Sequence, residues 1–288
     1  MEKKIAIIIV TYNSSKLIND CLDSIFQFND VGDKLEVIVV DNHSDEQSEM
    51  FQNIFLKYGN KVSLINSGKN GGYGFGNNVG INHTHAPIVI VMNPDVRFVS
   101  PILGSIETIM EDNTIGMIGV DFVDGSSPYY FKREASSVFR QLFFKYYVRR
   151  RVYKPSTMFL SGSFLVFNKD NFLKVGAFDE NIFMYSEEAD ISNRLLRDGF
   201  KIIWARQLKV LHLTHERRFN PKLNQIRLKS GLYYEKKYGL DSNRIYSDAV
   251  LVLKIKIFVS KLMGKKSSME SFKEQLRLLK DFHANQSE

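Results

Sequence analysis

The segment KIAIIIVTYNSSKLINDCLDSIFQFNDVGDKLEVIVVD, residues 4–41, decides the fold. An apolar run of six residues, Ile5 to Val10, leads into a helical pattern with Leu17, Cys21, Ile25 and Phe28 at three- and four-residue spacing. A second apolar run then ends at Asp41. Apolar runs without polar alternation read as strands covered on both faces, and a helix between two of them makes a parallel crossover. The alternation continues through an amphipathic stretch near Met50 to Tyr58, then VSLIN (62–66) and IVIVM (88–92). The chain therefore begins as a βαβαβ unit built on a parallel sheet.

In open parallel sheets ligands bind beyond the carboxyl ends of the strands. Here those ends are TYN (11–13), DNHSD (41–45), NSGKNGGYGFGNN (66–78) and NPD (93–95). Each is turn-forming in its own right, and together they form one polar rim. Asp95 is its most demanding member, because a carboxylate closing a fully apolar strand is costly unless a partner or ligand compensates it. The glycine-rich segment fails both common phosphate-loop patterns. A P-loop needs glycine five positions before Gly68-Lys69, where Ser63 stands; a dinucleotide fingerprint begun at Gly72 or Gly74 meets Asn77 or Val79 in place of its third glycine. The glycines still suit a backbone that closely approaches a ligand, with a plain turn as the alternative.

At 288 residues, 44% of them hydrophobic, the chain has ample core for one large α/β domain or two smaller ones. Cys21 is the sole cysteine, which excludes an intrachain disulfide and a multi-cysteine zinc site and fits a reducing compartment. Lys3 and Lys4 imitate the start of a signal peptide, but the apolar run after them is short and no small-residue cleavage site follows. No run of 18 apolar residues occurs, so membrane contact is expected only at the surface. The net charge of +7 is concentrated between Tyr129 and Lys154, where eight bases (Lys132, Arg133, Arg140, Lys145, Arg149, Arg150, Arg151 and Lys154) meet one acid, Glu134. Aromatics interleave with these bases, a composition that suits phosphates, anionic lipid or nucleic acid as well as a solvated basic element.

The block from Met158 to Glu216 has its own logic. SFLVF reads as a strand, VGAFDE as a turn, and Ser186 as the cap of a helix that carries Ile191, Leu195 and Leu196 inward before Gly199 stops it. Glu187, Glu188 and Asp190 then crowd its first turn. The helix macrodipole favours acids there, and such a group kept ionised is also suited to act as a general base toward a hydroxyl. KVLHLTHE places His212 and His215 after an apolar stretch, as structural histidines or as metal ligands. Near the C-terminus, AVLVLKIKIFVSKLMGKK (249–266) alternates apolar residues with lysines, fitting an element in a lipid interface or a helix packed on the domain or on a second subunit of a homodimer. The last segment, 267–288, reads as a further amphipathic helix.

The order of these motifs resembles the family 2 inverting glycosyltransferases of the GT-A fold, in particular a bacterial rhamnosyltransferase-like branch. The resemblance rests on IVTYNS, EVIVVDNHSD, NGGYGFGNNVGI, VMNPDV, LSGSFLVF, VGAFDENIFMYSEEADISNRLLRDG and VLHL, and covers roughly residues 4–240. It implies an α/β fold with a Rossmann-like, mostly parallel central sheet, helices on both faces and a C-terminal helical extension. The implied division is a catalytic domain over 1–245, its nucleotide-binding half about 1–100 and its acceptor half about 101–245, followed by a basic extension over 246–288. Asn93-Pro94-Asp95 falls where the family has Asp-x-Asp, which makes Asp95 a ligand of Mg²⁺ or Mn²⁺ bridging the donor diphosphate. Asn93 gives this site one charge fewer. His212 matches the family's metal histidine, with His215 as a substitute. Thr11, Tyr12, Asn13, Asn70, Gly72 and Asn78 would line the nucleotide-sugar pocket, and Asp41 would accept the pyrimidine N3–H. Glu188 matches the catalytic base, usually Asp in the family, with Asp190 the alternative.

The resemblance further implies a dTDP-rhamnose donor, or a UDP-hexose, and a lipid-linked glycan acceptor. It places the enzyme in the cytoplasm, peripheral at the inner face of the membrane. A sugar nucleotidyltransferase would carry a glycine-rich first loop where TYNSS has no glycine, and the acidic rim argues against nucleic acid as the partner.

Overall fold

The computed structural model describes residues 2–213 and 219–286. Its strands are β1 (Ile5–Thr11), β2 (Leu35–Asp41), β3 (Val62–Asn66), β4 (Ile88–Met92), β5 (Val96–Phe98), β6 (Ile115–Phe122), β7 (Tyr129–Phe131), β8 (Met158–Leu160), β9 (Phe164–Asn168) and β10 (Lys201–His212). Its helices are α1 (Ser15–Gln27), α2 (Gln47–Tyr58), α3 (Tyr73–His83), α4 (Leu103–Ile109), α5 (Val138–Leu142), α6 (Phe144–Arg149), α7 (Lys169–Lys174), α8 (Glu187–Arg197), α9 (Pro221–Tyr238), α10 (Ser242–Leu262) and α11 (Lys266–Ala284).

Eight strands form one sheet in the order β3-β2-β1-β4-β9-β6-β10-β5. The expected parallel half is present: β1 pairs in parallel with β2 and β4, and β2 with β3, with Thr11 opposite Asp41 and Asp41 opposite Asn66. Beyond β4 the sheet becomes mixed. β9 runs antiparallel to both β4 and β6, β10 is parallel to β6, and β5 returns antiparallel to β10. One edge of the sheet therefore collects the carboxyl ends of β1, β2, β3, β4, β6 and β10 together with the amino ends of β9 and β5.

The core follows from the side-chain period of two. Ile5, Ile7 and Ile9 of β1 and Val37 and Val39 of β2 face α1, where Ile18, Cys21, Leu22 and Ile25 are buried. Cys21 and Ile25 are buried as expected, whereas Leu17 and Phe28 are only half-buried and Ile18 and Leu22 complete the inner stripe. The opposite face packs against α3, and its contact depends on glycine. A Cβ on Gly80 would lie 2.4 Å from Ile8 Cγ2 and 3.0 Å from Val40 Cγ2, and one on Gly76 would lie 2.8 Å from Val10 Cγ1. The helix backbone thus rests directly on the sheet.

The chain divides into two compact units. The first comprises residues up to Tyr130, Phe159–Phe183, and the chain from Glu187 through β10; the second comprises Phe131–Met158, Met184–Ser186 and the helices α9, α10 and α11. The division drawn on the sequence at 245/246 falls inside α10, and α9 belongs with the C-terminal helices. In the second unit, α10 packs on α11, α9 and α5.

Gly80→Ala is expected to lower stability by about 1–3 kcal/mol, the usual cost of overpacking a filled contact, because the added methyl meets two side chains rooted in the sheet. Thermal melting of the variant beside the wild type checks this; an unchanged melting temperature would show that α3 can lift off the sheet freely.

Candidate active site

The rim is assembled by backbone pairing. At the end of β4, the Asn93 N–H donates to Ser163 O at 3.0 Å, and Val96 N–H closes the NPD turn on Asn93 O at 3.1 Å. His212, the last residue of β10, lies opposite Val96, and Leu213 N–H donates to Asp95 O at 2.8 Å. This brings His212 Nε2 to 3.6 Å from Asp95 Oδ2 and 3.3 Å from Ser163 Oγ. The other ring nitrogen of His212, Nδ1, is buried without a hydrogen-bond partner. Arg97 fixes the turn from beneath, its Nη1 donating to Pro94 O and Val96 O at 2.6 and 2.8 Å and its Nη2 to Leu17 O at 2.9 Å. Cys21 sits beside this turn, and burial pushes its thiol up to about 12, so it is a neutral core group.

Asp41 is fully buried at the end of β2. Its Oδ2 accepts from Thr11 Oγ1 at 3.0 Å and Ser44 Oγ at 2.6 Å, and its Oδ1 from Ser44 N–H at 2.8 Å. An ionised carboxylate offers about four acceptor positions, so roughly one remains, on Oδ1. Asn13 adopts φ +50 and joins the same loop, its N–H donating to Ser44 Oγ at 2.8 Å. Tyr12 is half-exposed beside it, at 51%. Asn70 Oδ1 accepts from Gly72 N–H at 3.3 Å. Gly72 itself has φ +92, and a Cβ there would stand 2.1 Å from Phe183 O, so only glycine fits.

The acids of α8 separate in role. Asp190 is fully buried and accepts from Arg194 Nε and Nη2 at 2.9 and 2.6 Å, both on Oδ2, while Arg194 Nη1 reaches Val175 O at 2.6 Å. Glu188 instead turns to the rim, where its Oε1 accepts the Gly162 N–H at 3.2 Å. Tyr73 donates its hydroxyl to Gly162 O at 2.5 Å from the other side. Burial, then Glu188 and Glu187, then Asp95 hold the Tyr73 hydroxyl well above its ordinary range, so it stays protonated as a donor. Ser186 does not take the extended backbone of an N-cap; it has φ +99, after Tyr185 at φ +69.

A profile of the family described as Glycosyl transferase family 2 matches residues 6–176, more than half of the chain. The chain belongs to this family. Across 263 residues, 85% of this glycosyltransferase and 78% of the relative, it is 23% identical to the low-salt glycan biosynthesis hexosyltransferase Agl10 of Haloferax volcanii. It is 27% identical over 219 residues to the N-acetylglucosaminyl-diphospho-decaprenol L-rhamnosyltransferase of Mycobacterium tuberculosis, matching 62% of this chain and 66% of that one. Among solved structures, the mannosyltransferase PcManGT of Pyrobaculum calidifontis, in complex with GDP-Man and Mn²⁺, is similar with a TM-score of 0.63 at 15% identity, covering 96% of this chain and 75% of that one. The fold is therefore GT-A.

Asp95, His212, Asn93 and Glu188 of the glycosyltransferase meet around Gly162-Ser163, and Thr11, Asn13 and Asp41 meet in the loop after β2. Asn78 does not join them. Its Nδ2 donates to Phe178 O and Glu180 Oε1 at 2.9 and 3.0 Å and its Oδ1 accepts Phe178 N–H at 3.1 Å, so it holds the turn at 178–180. His215 lies outside the described residues. Gly162, Ser163, Tyr73, Ser44 and Arg97 were not singled out by type; the only signal for the first two was their place in LSGSFLVF.

At 3.6 Å the two groups stand too far apart for a hydrogen bond. The imidazole Nε2 and the carboxylate are suitable donors to a cation, and both side chains are largely buried. Among the described residues no three His, Cys, Asp or Glu side chains gather tightly enough to hold a metal unaided. The Asp95–His212 pair fits an ion whose remaining ligands come from elsewhere.

Asp190→Asn is expected to destabilise the fold by roughly 3 kcal/mol, because it leaves the Arg194 charge without its buried partner. Urea unfolding measures this. A stability equal to the wild type, with loss of turnover alone, would return Asp190 to the list of catalytic groups.

Proposed function

We propose that this glycosyltransferase moves rhamnose from dTDP-rhamnose to a hydroxyl of a lipid-linked glycan precursor, with inversion at the anomeric carbon. The observation that carries the reading is the two-residue span Gly162-Ser163, which touches Glu188 through one residue and His212 through the other. A carboxylate base and a cation-binding pair thus meet at one short segment. The rhamnosyl donor and the diphospholipid acceptor are supported by the name of the tuberculosis relative. A second reading, a hexose from a UDP-sugar, is favoured by the Haloferax relative, named a hexosyltransferase.

Glu188 accepts the proton of the acceptor hydroxyl as that oxygen bonds to the anomeric carbon and the bond to the nucleoside diphosphate breaks. Two features keep Glu188 ionised: the Gly162 N–H stabilises its charged form, and its position in the first turn of α8 places it at the positive end of a helix. Asp95 and His212 would hold Mg²⁺ or Mn²⁺, which when bound neutralises charge on the leaving diphosphate. Thr11, Tyr12, Asn13, Asn70, Gly72 and Asn93 line the nucleotide-sugar pocket, with the remaining acceptor position of Asp41 Oδ1 left for the pyrimidine N3–H. The face of α10 that carries Leu251, Phe258 and Leu262 is exposed among lysines, and residues 249–266 contain no acid; this suits the inner leaflet where a lipid-linked acceptor resides. No helix among the described residues is long and apolar enough to cross a membrane.

Calorimetric titration of dTDP, UDP and GDP with and without Mn²⁺ tests the donor site. Mn²⁺-dependent binding of dTDP is expected, with at least a tenfold loss in Asp95→Ala; preference for UDP would select the hexose reading, and no nucleotide binding would end both. Glu188→Gln is expected to retain nucleotide affinity while turnover falls about 10²- to 10⁴-fold, the usual contribution of a positioned base. Near-normal turnover in a folded variant would remove Glu188 from the mechanism.

A further inference from the structure

The basic aromatic segment that the reaction above leaves unused forms α5 and α6 in the second unit. Ser137 caps α5, its side chain accepting from Arg140 N–H, and Arg140 Nη1 and Gln141 Nε2 tie the first turn back to Ala135 O and Ser136 Oγ, each at 2.7 Å. The helical path runs on through Phe143: its N–H donates to Phe139 O at 3.0 Å, and its carbonyl accepts from Tyr147 N–H at 3.1 Å. Residues three and four apart therefore share a face across both helices. On the inner face, Phe144 and Tyr147 pack edge-on against Phe131, with ring centroids 5.8 and 5.4 Å away.

The outer face is apolar and meets water. Phe139, Leu142, Phe143 and Tyr146 follow the i, i+3, i+4, i+7 pattern, and all four are exposed, Phe139 to 75%. A stripe of this kind marks a contact surface, where single exposed apolar residues would not. Interleaved with it and following it in the chain are Lys145, Arg149, Arg150, Arg151 and Lys154, and Arg150 lies over the Tyr146 ring at 5.3 Å. Glu134 precedes the helices and accepts from the Tyr234 hydroxyl of α9; from residue 135 to 169 the chain has no acid. α10, whose own exposed apolar face lies among lysines, packs on α5 in the same unit.

An anionic bilayer is the surface whose charge matches this stripe. A second copy seated through a two-fold contact would set the bases of the segment against the same bases, with no acid from 135 to 169 on either side to pair with them. Lipid phosphates complement those bases, and the apolar side chains suit the boundary between headgroups and acyl chains. We infer that α5 and α6 lie in the interface of an anionic membrane, with Phe139, Leu142, Phe143 and Tyr146 among the acyl chains and the bases from Lys145 to Lys154 on the headgroup phosphates. This extends the membrane contact read above for α10 to a second element of the same unit, and it does not depend on which donor or acceptor the enzyme uses.

The test sediments the full-length chain with vesicles of equal parts phosphatidylglycerol and phosphatidylcholine. The wild type is expected to co-sediment, with an affinity for pure phosphatidylcholine lower by roughly tenfold or more. Phe139→Ser combined with Phe143→Ser should weaken binding to the mixed vesicles by roughly tenfold or more, at an unchanged melting temperature because both side chains already meet water. Arg149→Glu combined with Arg150→Glu should remove most of the preference for the anionic lipid. A Phe143→Trp variant should fluoresce at shorter wavelength on the mixed vesicles; unchanged emission from the bound protein would keep the stripe out of the lipid and overturn the proposal. Full binding by the double serine variant would also overturn it, and release by Leu251→Ser with Leu262→Ser alone would then give the membrane contact to α10. A wild-type dimer that the serine substitutions split, or release from vesicles by RNA with the same dependence on Phe139 and Phe143, would assign the face to a second copy or to nucleic acid and equally sink the inference. Nucleotide affinity, read by calorimetry without vesicles, should be the same in every variant, so failure of the donor reading is distinguishable from failure of this one.

Discussion

The arrangement of the site depends on one short antiparallel pairing, in which the three-residue strand β5 returns along β10 and Leu213 N–H closes on Asp95 O at 2.8 Å. A strand of three residues has little stability of its own, so its position is set by its neighbours. Here it is held on one side by the β10 ladder and beneath by Arg97, whose guanidinium binds three backbone carbonyls. Asp95 and His212, more than a hundred residues apart in the chain, become adjacent as a result. The apolar run of β4 that ends in Asn93-Pro94-Asp95 therefore delivers its carboxylate to a place where backbone pairing has already brought the His212 imidazole.

The acids of the first unit show how a fold can carry several carboxylates in different environments. Asp41 is satisfied by two hydroxyls and an N–H, and Asp190 by a guanidinium. Both are fully buried, and burying such groups without these bonds would cost several kcal/mol each. Glu188 receives a backbone N–H from Gly162 on its Oε1. Glu188 and Asp190 thus differ in the partners seen: a backbone N–H of the Gly162 turn for one, the Arg194 guanidinium for the other.

Much of the fold was legible because apolar runs and helical periods are local. β1, β2, β3 and β4 lie where the runs are, and the polar ends of these strands do form the rim. The reversals of β9 and β5 were not legible, since SFLVF and VRF look the same in either direction and only partner geometry sets their sense. The exchange of Leu17 for Ile18 in the α1 stripe has a similar cause: the two are equally apolar, and the orientation of the helix on the sheet decides which is buried. The family resemblance implies a pocket role for Asn78, yet an asparagine is equally able to hold a turn through its amide, as this one does at 178–180. Asp190 was offered as a base because nothing in its own turn shows that Arg194, four residues on, points back at it.

The approach to α8 adds a further constraint. Tyr185 and Ser186, neither of them glycine, have consecutive positive φ angles of +69 and +99, a conformation that costs about 1–3 kcal/mol for each such residue. A chain entering the helix along the ordinary extended path of an N-cap would set the first turn at a different rotation, and with it the side chains of Glu187 and Glu188. Because Asp190 and Ile191 are buried on the inner face, the rotation of α8 about its axis is already set by packing. The two residues with positive φ directly precede Glu187 and Glu188, the first residues of α8.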